Sequence, residues 1–466
     1  MTNRLMFHSP GAPGADRPSR RTAAPRPTTA SLLSILVVAG VLACKGGAQT
    51  AQSQPSEPKV EKKFYMPKSR QEAMQAARLF TPKAVAETDI MAGPAQTKKQ
   101  FQLHFNDKVI CDFNKPGSEM GGKTPKFECK ITRVENSNGQ VQVLTDGMEE
   151  EPVKVKFGAD DNEVYAEVAA TRLFWALGFY ADAWFPVRVE CHNCPEDPIS
   201  GSGNKETRTY DPSTIVRKSK GHKMYEVGKE DEGWSWKELE TFNGRPSYEK
   251  DGLKLMAAFV SHSDNKPPQQ RLVCDDVKVD QSTDPFTTTC GESRMIVQDL
   301  GATFGSGGFF TSNSTAKINL KEWSGTRVWK KVGTSAETGA PGNQECQAGL
   351  RKSLTATDGL SDPIISEEGR RFTAGLLCQL SDQQIGDLFR AARVSQMPEY
   401  RNHDGTLKPG LDEAAIVQRW VDAFKQKREE VAKGRCRWKN QPANLGAVDN
   451  PMGLATVANT CSVKPF

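Results

Sequence analysis

The order of patterns along the chain predicts a disulfide-stapled α+β fold, on three observations. Strand-like alternation fills residues 98 to 157, a single helical period follows it, and the last third carries amphipathic helices. An even set of cysteines remains once Cys44 is set aside. About 400 residues lie beyond a leader and tether, enough for a sizeable core in two lobes.

The strand-like runs are FQLHF, KVICDF, KFECKI, QVQVL and VKVKF, separated by turn signals such as Asn138-Gly139. EVYAEVAATRLFWALGF then repeats apolar residues at helical spacing and stops near Gly178. AWFPVRVEC reads as a strand, 195–250 as loop-rich, and LKLMAAFVS as a helix running into a polar loop. Strands are expected around Cys274 and over RMIVQDLG, and helices over SDQQIGDLFRAARV and LDEAAIVQRWVDAFKQKREEVAKG. The expected divisions are a leader at 1–43, a tether and lead-in at 44–95, a β-rich part at 96–190, a central part at 191–340 and a helical part at 341–466.

Arg17, Arg20, Arg21 and Arg26 precede the apolar run LLSILVVAGVLA, which ends at Cys44. A run of about 12 residues is too short for a membrane helix and suits a signal-peptide core. Val41-Leu42-Ala43 before Cys44 resembles a bacterial lipobox, implying cleavage there, a lipid on the Cys44 sulfur, and an exported protein at the periplasmic face of the outer membrane or the cell surface. The leader holds five Arg and one Asp, so removing it takes the net charge from +5 to +1. The basic balance therefore belongs to the leader and gives no reason to expect a nucleic-acid partner.

The remaining cysteines fit disulfides in an oxidising compartment. Sequence alone does not give the pairing; neighbours suggest 111–129, 191–194, 274–290, 346–378 and 436–461. Cys191-His192-Asn193-Cys194 also has the form of half a zinc knuckle, but no second half follows.

Two short motifs carry chemistry. His262-Ser263-Asp264-Asn265-Lys266 ends the LKLMAAFVS run, and Asp299-Leu300-Gly301 ends RMIVQDLG. A loop Asp that can take a hydroxyl proton, followed by an Asp-x-Gly that can hold Mg²⁺, is the working pair of a phosphoryl-transfer site. Upstream, Lys156 ends a strand and Glu167 lies on the next helix, the types needed to orient phosphates and brace the lysine. Lys154 shares Lys156's face and Glu163 shares Glu167's, so each also has a plain reading as a solvated position. Gly117 to Thr124 matches the P-loop pattern, yet Pro125 and the β-rich KFECKITRV follow where a helix is required. A hairpin loop over phosphates, with Lys123 or Lys126 supplying charge, fits this context better.

Taken together, these residues resemble the protein-kinase-like superfamily, nearest its HipA-like and phosphoinositide-kinase-like branches. Gly122-Lys123-Thr124-Pro125-Lys126 matches the glycine-containing loop, Lys156 the strand lysine, Glu163 or Glu167 the helix glutamate, His262 to Gln270 the catalytic loop, and Asp299 the metal-binding Asp. The resemblance spans about 100 to 305 and implies a bilobal fold with a β-rich N-lobe and a mainly helical C-lobe. It further implies Mg²⁺ and ATP or another nucleotide, and a hydroxyl acceptor of unknown identity. Asp264 with His262 would form the catalytic group, and Gly121, Gly122, Lys126, Lys156 and Glu167 would hold the nucleotide. Asp299, Gln269 and Asn265 would hold the metal. Gln269 departs from the pattern, because an Asn is usual about five residues after the catalytic Asp. A non-catalytic scaffold or pseudokinase is the alternative that this departure raises.

Overall fold

The computed structural model describes residues 67–437, 439 and 461, apart from 117–119, 121–123, 146, 149–150, 161–162, 226–232, 242–244, 281–286, 306–316 and 335–343. Six strands build the first sheet: β1 (Lys108–Asn114), β2 (Lys126–Glu135), β3 (Val141–Val143), β4 (Val153–Phe157), β5 (Ala183–Cys194) and β6 (Glu206–Arg217). Their order is β1-β5-β6-β4-β2-β3, and β1 also pairs with β2, so five of the strands close into a ring. Only β1 and β5 run parallel; the other pairings are antiparallel.

The ring follows from period-two alternation. Val153 and Val155 of β4, Phe127, Cys129 and Ile131 of β2, and Phe185, Val187 and Val189 of β5 turn inward with Phe101 and Leu103 into one apolar cluster. FQLHF thus supplies core side chains without being a strand. Disulfides Cys111–Cys129 and Cys191–Cys194 lie in this cluster. The second of these engages both sulfurs of the CHNC unit, which removes the zinc reading.

β6 corrects the loop-rich expectation for 195–250. Asp211-Pro212 interrupts its sequence, and proline normally demotes a run to an edge. Here β6 lies between β4 and β5, with residues 212–217 buried. The expected boundary between 190 and 191 falls inside β5.

Helices α1 (Pro67–Ala76), α2 (Glu163–Ala176), α3 (Trp236–Thr241), α4 (Ser247–Phe259), α5 (Leu320–Gly325), α6 (Glu367–Leu377), α7 (Asp382–Ala391) and α8 (Glu413–Lys433) form most of a second core. α2 is buried nearly all round, packing on β4, β5 and β6 and also against α7. Gly178 ends its turn at φ +91°, where an added Cβ would lie 2.3 Å from the Thr81 carbonyl oxygen. Residues expected as lead-in are packed: Arg172 of α2, wholly buried, donates to the carbonyls of Ile90 and Met91.

Farther along, β7 (His222–Met224), β8 (Gln270–Cys274), β9 (Val277–Asp280), β10 (Thr287–Cys290) and β11 (Ser293–Val297) follow, with β8 between β11 and β7. Cys274–Cys290 forms as expected. The last two pairs do not: the bonds are Cys346–Cys436 and Cys378–Cys461, closing separations of 90 and 83 residues. Sequence neighbours mislead here because the chain after α8 returns beside residues far upstream; Arg437, for example, donates its amide to the Gln344 carbonyl.

Candidate functional site

β4 alternates, so Lys156 and Lys154 leave the ring's interior and face α2. Glu163 and Glu167 lie one helical turn apart on α2 and reach the same ammonium. Lys156 Nζ is 2.6 Å from Glu167 Oε1 and 2.7 Å from Glu163 Oε2, and Lys156 is only 3% exposed. Trp184 of β5 lies beneath it, with the ring centroid 5.0 Å from Nζ.

The loop half begins where α4 ends. Ser261 adopts φ +55°, its amide bonds the Ala258 carbonyl and the His262 amide bonds the Ala257 carbonyl. This Schellman ending, with Ser in the position usually taken by Gly, turns the chain into the loop. Asp264 then accepts from Gln269 Nε2 at 2.7 Å and pairs with Lys266 Nζ at 2.9 Å. Asn265 is fully buried. Its amide nitrogen donates to the carbonyls of His262 and Leu360, and its oxygen accepts from the Leu360 amide.

Antiparallel pairing of β8 with β11 brings the two motifs together, since Gln270 lies opposite Val297. The amides of Gln298 and Asp299 then reach the Gln269 carbonyl at 3.0 and 3.4 Å. Asp299 Oδ1 stands 3.8 Å from Lys156 Nζ and accepts the Gly301 amide at 3.2 Å. The Leu300 amide donates to Glu167 Oε2 at 3.2 Å. Gly301 is the residue that this closeness allows, because a Cβ there would meet Glu163 Oε2 at 2.8 Å.

Three carboxylates around one ammonium set the electrostatics. Burial alone would lower the Lys156 pKa, but Asp299, Glu167 and Glu163 outweigh it and hold it well above the ordinary lysine value. Burial raises Glu167 well above the usual carboxylate range against the pull of Lys156. Asp299 goes the other way: burial would raise it, yet Lys156 and hydrogen bonds from Glu167 and Gly301 hold it below the usual range. His262, 1% exposed, is pushed down to about 4 by burial, partly offset by Asp264, Asp299 and the Ala302 backbone.

The structure therefore joins Lys156, Glu167 and Asp299 directly, and Asp264 with Gln269. His262 is buried beneath the loop rather than exposed in the cleft, which does not favour the direct chemical role expected for it. Asn265 is corrected: its side chain is engaged by backbone on both sides of the loop and belongs to no ligand set. The oxygens of Glu163, Glu167 and Asp299 lie within 4.8 Å of one another, so Glu163 joins the cluster in its place. Hard oxygen donors of this kind suit Mg²⁺. Lys126 is opposite Lys156 on β2 and is 7% exposed. β2 begins directly after Pro125, so the P-loop reading is removed. Gly121, Gly122 and Cys44 lie outside the described residues. Lys266, absent from the expected site residues, pairs with Asp264, a contact that its place two residues further on could have signalled.

No protein-family model matches the chain, and no curated protein matches its sequence. Among solved structures, the matches include the Helicobacter pylori proinflammatory kinase CtkA, at 9% identity and a TM-score of 0.32, covering 69% of this chain and 95% of that one.

Proposed function

We propose that the chain is a phosphotransferase with a bilobal kinase-like arrangement, moving a phosphoryl group from a nucleotide to a hydroxyl acceptor. The observation that carries this reading is the buried Lys156–Glu167 pair set 3.8 Å from the Asp of Asp299-Leu300-Gly301. Asp264 orients the acceptor hydroxyl and takes its proton. Lys266, with its ammonium 2.9 Å from Asp264 Oδ1, and Gln269 hold that carboxylate in place. Lys156, braced by Glu167, fixes the phosphates, with Lys126 on the adjoining strand. Asp299, with Glu163 and the side-chain oxygen of Gln269, would hold Mg²⁺, whose charge offsets that of the phosphates. Rate enhancement then comes mainly from positioning and preorganised charge.

Turnover is tested by ADP release from Mg–ATP. Asp264→Ala and Asp299→Ala are each expected to lower it by roughly a hundredfold or more. Undiminished turnover in either variant sinks the assignment. A second reading, nucleotide binding without transfer, is favoured by Gln269 in place of Asn. It predicts that ATP raises the melting temperature of the native chain while no ADP appears.

The leader pattern supports export and a membrane partner through a lipid on Cys44. Labelled fatty acid should enter the wild-type chain and not Cys44→Ser; equal labelling of both removes the anchor.

A further inference from the structure

Lys156 is hydrogen-bonded to Glu163 and Glu167 and stands 3.8 Å from Asp299, and a second ammonium on the same face lacks such partners among the described residues. Lys154 precedes it by one strand repeat, about 6.7 Å. It shares the outer face of the ring with Lys156, because Val153 and Val155 between and beside them fill the interior. On β2, Lys126 stands opposite Lys156 and Glu128 opposite Lys154. Glu128 is hydrogen-bonded by Asn114 Nδ2. Among the described residues Lys154 has no hydrogen-bond or ion-pair partner, although it is half-buried. A cation kept out of water without a counter-ion is costly, and an anion entering the cleft relieves that cost.

We propose that Lys154 is a second cationic clamp for a phosphate chain, gripping it one strand repeat away from Lys156. The site fits an extended polyphosphate anion, either the triphosphate of a nucleotide or an inorganic chain. Surrounding charge supports this: burial lowers the Lys154 pKa most, and repulsion from Lys156, Lys218 and Lys126 lowers it further, against the attraction of Asp299. A di- or triphosphate bridging Lys154 and Lys156 would replace repulsion with charge-assisted hydrogen bonds.

The inference rests on the cleft holding phosphates, as proposed above, but its test does not require turnover. Binding of inorganic tripolyphosphate, ATP and adenosine to the full chain is measured by titration calorimetry for wild type, Lys154→Met and Lys154→Arg. Lys154→Met should weaken tripolyphosphate and ATP by roughly tenfold or more, while Lys154→Arg stays near wild type. Adenosine should bind equally to all three proteins. Urea unfolding should find Lys154→Met no less stable than wild type, since no partner is lost. Unchanged tripolyphosphate and ATP affinity in Lys154→Met overturns the clamp, as does a wild type that binds neither anion. Tripolyphosphate binding without ATP binding supports it and identifies an inorganic chain. A clamp that behaves as stated in a protein without ADP release leaves this inference standing while the transferase reading falls.

Discussion

Lys156 is 3% exposed and stands among three carboxylates drawn from a helix and a distant loop, whereas Asp264 is held by Lys266 and Gln269, two residues of its own loop. The first arrangement depends on β4, α2 and the Asp299 turn all being in place. The second forms within six residues. Charge built across elements is tied to global stability; charge built within a loop can serve chemistry with little effect on the fold.

The largest expected effect tests the first half of that contrast. Lys156→Met removes the ammonium shared by Glu163, Glu167 and Asp299, leaving buried Glu167 without its cation beside two partly exposed carboxylates. Breaking a buried pair in this way costs roughly 3–5 kcal/mol, read as a lower urea midpoint. Adding Glu167→Gln should recover part of the loss, because the most buried carboxylate is then neutral. A Lys156→Met protein as stable as wild type would break the comparison, showing that the carboxylates adjust simply by taking up protons.

His262 lies under the loop and couples it to pH. Its pKa falls from 6.5 to about 4 in the folded chain. A depressed value means that the unfolded chain binds the proton first, so the stabilisation is complete above pH 6.5 and is lost as pH falls toward 4. The loss amounts to about 3 kcal/mol. Urea unfolding at pH 7 and pH 4.5 should therefore show a smaller acid loss for His262→Phe than for wild type. Equal losses would mean that other groups govern acid stability.

The sequence made some of this legible for identifiable reasons. Four of the five ring strands, β1, β2, β4 and β5, and α2 were visible because alternation and helical spacing persist over their length, and the pair Lys156–Glu167 followed from strand-to-helix order. β6 was hidden by Pro212, which reads as an interruption although the strand continues through it. Cys346–Cys436 and Cys378–Cys461 were hidden because proximity there is created by the chain's return after α8, and no local pattern encodes that. Asn265 misled for a similar reason. An Asn beside an Asp has the chemistry of a ligand, but the Leu360 backbone that engages it lies 95 residues away. The close approach of Gly301 to Glu163 likewise appears only when α2 and the loop meet.

Adjacent residues 264 and 265 sharpen the contrast most finely. Asn265→Ala strips partners from the His262 carbonyl and from both the amide and the carbonyl of Leu360, in a buried setting. Such unsatisfied groups cost about 2 kcal/mol. Asp264 loses only contacts with Lys266 and Gln269, both able to turn to water, so Asp264→Asn should change stability by less than about 1 kcal/mol. Urea midpoints for the two variants, measured side by side, check the difference. If Asp264→Asn cost as much as Asn265→Ala, the loop would be braced through its acid as well as its amide. The separation of a structural Asn from a chemically free Asp would then fail at the position where the proposed function needs it.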